Sequence, residues 1–183
     1  VTGRRMSSAG RLGRQFGAAV LALALVLPAA PLAALDRIDF QVAGGDDDLA
    51  KLLRQFSLLI AQRNEKLTDP QDLFAAARAD YARLLGALYA EGHYDAVIHI
   101  TIDGREAAGI APLNAPQRIG VIAVSIDPGK KFTFSKAEIA PLARGTALPD
   151  GFKAGETARS GVIEEAADAA ILGWRERGHA KAA

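Results

Sequence analysis

The spacing of apolar positions changes several times along the chain, and each change marks an element. An unbroken apolar run occupies residues 18–27 and ends at Pro28. From Arg37–Val42 the period is two: Ile38, Phe40 and Val42 alternate with Asp39 and Gln41, which predicts a strand. Gly44-Gly45 turns the chain, and Asp46-Asp47-Asp48 supplies a cap and favourable charge for a helix start. Leu49, Leu52, Leu53, Phe56, Leu59 and Ile60 then form one helical stripe, broken over residues 64–68.

A second helix has Asp69 as cap, Pro70 at its first position and Asp72 in its first turn. Leu73, Ala77, Leu84 and Leu88 share a face, with Tyr81 beside it, and Gly92 ends the helix. Residues 97–103 return to period two, with Ile98, Ile100 and Ile102 on one side. A loop over 104–118 contains Pro112 and Pro116, and a further strand over 121–126 aligns Ile122, Val124 and Ile126. The order strand, helix, helix, strand, strand predicts an α+β unit whose three-stranded sheet is covered by two helices. Beyond the Asp127-Pro128-Gly129 turn, Phe132-Thr133-Phe134 begins a strand running toward Ile139. Residues 140–160 have little helical pattern. Ser160 then reads as the cap of a last helix with Ile163, Ala167, Ala170, Ile171 and Trp174 on one side, closed by Gly178.

Two helix ends repeat each other. Leu88-Tyr89-Ala90-Glu91-Gly92-His93 aligns with Trp174-Arg175-Glu176-Arg177-Gly178-His179 at a spacing of 86 residues. This predicts tandem modules over 35–128 and 129–183. The second would lack its last two strands, leaving the Trp174 face without a sheet, so the chain is expected to be part of a longer protein.

Arg4, Arg5, Arg11 and Arg14 precede the first apolar run, and Ala29, Ala30, Ala33 and Ala34 follow it. A basic prefix, a short apolar core and a small-residue exit make residues 1–34 a signal peptide, with cleavage best placed after Ala34 and also possible after Ala30 or Ala33. Ten residues span about 15 Å as a helix, half of a bilayer's hydrocarbon core, so the run is too short for a stable anchor. Met6 is a better initiator than Val1.

Export changes the charge balance. Removing those four arginines from the chain's 22 Lys+Arg leaves 18 against 21 Asp+Glu, a net charge of −3. No basic patch remains for nucleic acid. The absence of cysteine excludes a disulfide framework, thiolate metal sites and thiol nucleophiles.

No residue pattern points to catalysis, a cofactor or a metal. His93 and His179 follow helix-ending glycines, where a histidine can bond the last carbonyls or favour the negative helix end. His99 lies on the polar side of a strand, and no histidine pair has zinc spacing. Asp46-Asp47-Asp48 lacks the alternating ligands and terminal Glu of a calcium loop. Gly44-Gly45 has no phosphate-loop lysine, and the stretch around Ser160 is no nucleophile elbow. Trp174 sits on an apolar stripe and is expected to pack in a core.

Several stretches resemble POTRA domains, the periplasmic modules that precede an outer-membrane β-barrel. They are the element order, the helix end at Gly92-His93-Tyr94-Asp95, and Asp127-Pro128-Gly129 leading into Phe132-Thr133-Phe134. Residues Ala77-Arg78-Ala79-Asp80-Tyr81, Leu88-Tyr89-Ala90-Glu91-Gly92, Ile102-Asp103-Gly104-Arg105-Glu106-Ala107-Ala108 and Gly173-Trp174-Arg175-Glu176 with Gly178-His179-Ala180-Lys181 are similar to the TamA family within that superfamily. The resemblance implies a non-enzymatic part in outer-membrane protein assembly, a C-terminal β-barrel beyond this chain, unfolded outer-membrane clients, and an elongated TamB-like partner anchored in the inner membrane. It also implies that the strand at 97–103 lies at a sheet edge, where a client could add by β-augmentation across Val97, His99, Thr101 and Asp103, while the edge at Arg37–Val42 docks a second protein. The alternatives are the POTRA region of a general barrel-assembly subunit or two-partner secretion transporter, and a free-standing exported binding protein of ferredoxin-like type.

Overall fold

The computed structural model describes residues 35–182, Gly45 excepted. The signal peptide read over residues 1–34 lies outside them. The described residues fall within one compact unit. Their elements are β1 (Arg37–Val42), α1 (Asp47–Phe56), α2 (Leu58–Asn64), α3 (Pro70–Ala90), β2 (Val97–Ile102), β3 (Arg105–Glu106), β4 (Val121–Asp127) and α4 (Ser160–Glu176). The fold is α+β, with an open mixed sheet in the order β1-β4-β2-β3.

The strands form where period two was read, and their register follows from burying one face. β1 runs parallel to β4, from Arg37 opposite Val121 to Val42 opposite Ile126. β2 runs antiparallel to β4, from Val97 opposite Asp127 to Ile102 opposite Ile122. This aligns Ile38 and Phe40, Ile122, Val124 and Ile126, and Ile100 and Ile102 on one face, all buried. They pack in a single core against Leu49 and Leu53 of α1, Leu59 and Ile60 of α2, and Leu73, Phe74, Ala77, Leu84 and Leu88 of α3. A one-residue slip of any strand would turn its apolar side to water. The opposite face carries the polar alternates, with Arg37, Gln41, Ser125 and His99 exposed.

The expected caps form. Asp46 accepts a bond from the Leu49 N–H at 3.0 Å, and Asp69 from the Gln71 and Asp72 N–H groups at 2.9 and 3.1 Å. Gly92 ends α3 with φ of 85°, and Gly178 follows α4 with φ of 89°. The sequence repeat is also a backbone repeat: the His93 N–H reaches the Leu88 carbonyl at 2.9 Å, and the His179 N–H reaches the Trp174 carbonyl at 3.1 Å. Each is the six-to-one closure of a helix turned by a left-handed glycine.

Several expectations need correction. The stripe over residues 49–60 is two helices, because Ser57 leaves helical geometry (φ −74°, ψ 124°) and its hydroxyl caps α2 at the Ile60 N–H. The strand expected from Phe132 toward Ile139 does not form. Phe132 and Phe134 exchange bonds with residues 155–158, but only Thr133 and Thr157 make a bridge. Lys136 and Glu138 fall on the side of Phe132 and Phe134, so that face cannot continue to be buried. Ser160 is the first residue of α4, not its cap: Arg159 holds the cap position and offers no side-chain bond. Strand β2 ends at Ile102, because Asp103 takes a left-handed φ of 47°.

Candidate functional site

In an antiparallel ladder the backbone groups of alternate residues point to opposite sides of the strand. The Asp103 N–H bonds the Val121 carbonyl at 2.9 Å, just past the β2–β4 pairing. Odd-numbered residues of β2 therefore face β4, and Ile98, Ile100 and Ile102 present their N–H and C=O groups outward. This row is the outer edge of β2.

The chain closes part of that edge itself. Asp103 and Gly104, with φ of 47° and 80°, make a two-residue turn that folds β3 back on β2. Thr101 then pairs with Glu106, and Ile102 with Arg105. Both left-handed angles suit an Asp-Gly loop. The Asp-Gly dipeptide is a hairpin signal, and β3 lies within the segment expected to be a loop.

At Ile100 the closure is made by side chains. Its N–H donates to Glu106 Oε1 at 3.2 Å and lies 3.3 Å from the Tyr81 hydroxyl. Its carbonyl lies 3.1 Å from the same hydroxyl. The Tyr81 hydroxyl also donates to the Glu106 carboxylate. On the far side of that carboxylate, Oε2 is 3.3 Å from His99 Nδ1. Burial, followed by the hydrogen bond to Glu106, pushes the Tyr81 phenol up to about 12. For Glu106, burial works to raise the carboxyl, but the bonds from Tyr81, Ile100 and His99 outweigh it and hold the group below its usual range. Among the described residues Ile98 has no backbone partner on this edge, so the row is open there and occupied from Ile100 onward.

The four residues expected at this edge divide. Val97, His99 and Thr101 lie together on the sheet face away from the helices, with Val97 49% exposed. Asp103 does not join them. Its carboxylate turns back to the start of β4 and accepts the Gly120 N–H at 3.1 Å and the Val121 N–H at 2.8 Å. Tyr81 and Glu106 were missed. The signal was faint: an aromatic hydroxyl beside a core face needs a polar partner, and the sequence does not say which.

On the other edge, no strand among the described residues pairs with the outer side of β1. Arg54 of α1 donates to the Phe40 carbonyl at 3.0 Å, and its guanidinium lies 5.3 Å from the Phe40 ring centre.

The histidines occupy separate places. The His93 ring is buried and meets the Pro128 carbonyl at 3.1 Å through Nδ1, rather than the last carbonyls of α3; Nε2 has no partner among the described residues. His179 is exposed and stacks edge-on against Trp174. No group of three or more potential metal ligands occurs among the described residues, and none of their helices is long and apolar enough to cross a membrane. Trp174, expected in a core, is only half-buried; its Nε1 donates to the Pro141 carbonyl at 2.9 Å. It lines an apolar groove of about 630 Å³ with Ile139, Phe152, Ile163 and Ile171.

No protein-family model and no curated protein matches this chain.

Proposed function

We propose that this chain is the periplasmic POTRA region of an outer-membrane assembly factor of the TamA type, which receives unfolded β-barrel precursors by adding their strands to β2. One observation carries the reading. A mixed sheet with the core order β1-β4-β2, covered by helices on one face, has an outward row on β2 that begins, among the described residues, unpaired at Ile98. Main-chain bonds formed there are indifferent to client sequence, which suits a receiver of many different barrel strands. Val97, His99 and Thr101 would meet the client's side chains on the polar face, and the edge of β1 would take an inner-membrane-anchored partner. The β-barrel itself, the outer-membrane attachment and the second, partial module belong to the same proposal.

The test is photo-crosslinking. A reactive residue at Val97 of the full chain is exposed to a synthetic peptide of about ten residues copied from a membrane β-strand. Crosslinking is expected, and Ile98→Pro should abolish it with circular dichroism unchanged, because that substitution removes an outward N–H and no ladder bond. His99→Pro is unsuitable, since its N–H faces β4. Absence of any crosslink would sink the reading.

A further inference from the structure

The edge of β2 is closed in an uneven way, and the unevenness has a use. A strand adding to β2 must bond every second residue, at Ile98, Ile100 and Ile102, about 7 Å apart. Ile98 is open among the described residues, Ile100 is held by two side chains, and Ile102 lies against the two-residue strand β3. A sheet edge that must stay closed is normally blunted by a very short strand, a bulge, an inward charge or a covering loop. Here the central position is guarded by groups that can leave by rotating about side-chain bonds. The Glu106 carboxylate is 39% exposed, and the His99 side chain beside it is 64% exposed. Glu106 imitates the acceptor of a partner strand, since its carboxylate takes the Ile100 N–H, and the Tyr81 hydroxyl, whose proton goes to that carboxylate, covers the Ile100 carbonyl.

We propose that Tyr81 and Glu106 form a latch on β2, so that an incoming strand docks first at Ile98 and extends past Ile100 only by displacing them. This rests on the reading of β2 as a strand acceptor. The latch sets the register of addition, because Ile98, the open position among the described residues, is the entry point. It also shields the edge from pairing with a second copy of the chain when no client is present. A client must therefore supply enough main-chain bonds to replace three interactions at Ile100, which favours long extended segments over short ones.

Two near-isosteric variants test it in the full chain. Tyr81→Phe removes only the hydroxyl, and Glu106→Met removes both carboxylate oxygens while keeping the side chain's length. Hydrogen exchange at the Ile100 amide is read by NMR without peptide. Affinity for the same membrane-strand peptide is read by fluorescence anisotropy. The latch predicts Ile100 exchange about tenfold faster in each variant, peptide binding about tenfold tighter, and protection of Ile100 once peptide is bound; tenfold corresponds to the loss of about one net hydrogen bond. Unchanged Ile100 exchange overturns the latch. Faster exchange with unchanged affinity also overturns it, yet leaves strand addition standing. Failure of the wild type and both variants to bind the peptide overturns the latch together with the function it serves.

Discussion

Ser57 donates its hydroxyl proton to Asp80 at 2.6 Å, across 23 residues of sequence, with both side chains buried. The same carboxylate accepts the Leu58 N–H at 2.7 Å and the Leu59 N–H at 3.2 Å. A buried acid on α3 thus satisfies the free N–H groups at the start of α2, where the helix end is positive. This explains why the apolar stripe from Leu49 to Ile60 bends into two helices at Ser57.

Replacing Asp80 with Ala should therefore cost about 3 kcal/mol, since it strands a hydroxyl and two N–H groups in the core. Asp80→Asn keeps one acceptor and should cost about 1 kcal/mol. Urea denaturation measures both. Equal losses in the two variants would mean that the charge, rather than the acceptor, matters.

The phenol of Tyr81 should give the clearest pH signature. Its folded-state value of about 12 lies above the ordinary tyrosine value near 10, so the fold prefers the protonated phenol. The sign follows: this contribution is complete below about pH 10 and is lost as pH rises toward 12. Burial also raises the Tyr94 phenol, so absorbance titration of the three tyrosines should show more than one late step, of which the Tyr81 step is absent in Tyr81→Phe. For Glu106, held below its usual range, the contribution is present above the ordinary carboxylate value and is lost on acidification through its folded value.

The two helix-ending glycines carry different burdens. A Cβ at Gly92 would come within 2.7 Å of Thr157 Cγ2 and 3.5 Å of the Phe132 and Ala158 carbonyl oxygens. A Cβ at Gly178 meets nothing within 4 Å. Both replacements by Ala incur the left-handed backbone penalty of about 1–2 kcal/mol. Gly92→Ala should cost clearly more and loosen the Phe132 N–H bond to the Gly92 carbonyl, measurable by hydrogen exchange at Phe132. Identical losses at both sites would refute the packing argument.

Asp103 should matter for stability. Asp103→Ala loses the bonds to Gly120 and Val121 and places Ala at a positive φ, costing about 2 kcal/mol. Asp103→Asn tolerates the same backbone and retains an acceptor, so most of the loss should be recovered. Thermal melts of the two variants separate these effects.

Much of the fold was legible in the residues. The period-two runs at Ile38–Val42, Ile98–Ile102 and Ile122–Ile126 are the strands β1, β2 and β4. The edge was legible only in part. Alternation puts Val97, His99 and Thr101 on one face, as the structure has them, whereas Asp103, expected to continue the strand, sits in the turn. Trp174 was expected in a core, and the described residues leave it half-buried in a groove.

The amino-acid order by itself determined where elements start, stop and turn an apolar side inward. Those choices depend on neighbouring residues: caps within three positions, glycines that accept a left-handed φ, and the spacing of apolar side chains. Only the tertiary structure decided that Ser57 splits a helix and that Tyr81 and Glu106 close the middle of β2. Each outcome needs polar groups brought together over separations of 23 and 25 residues, and the packing of α3 against α2 and the sheet creates those meetings. A local pattern can require that a buried hydroxyl or carboxylate find a partner. Which partner it finds is settled by the fold.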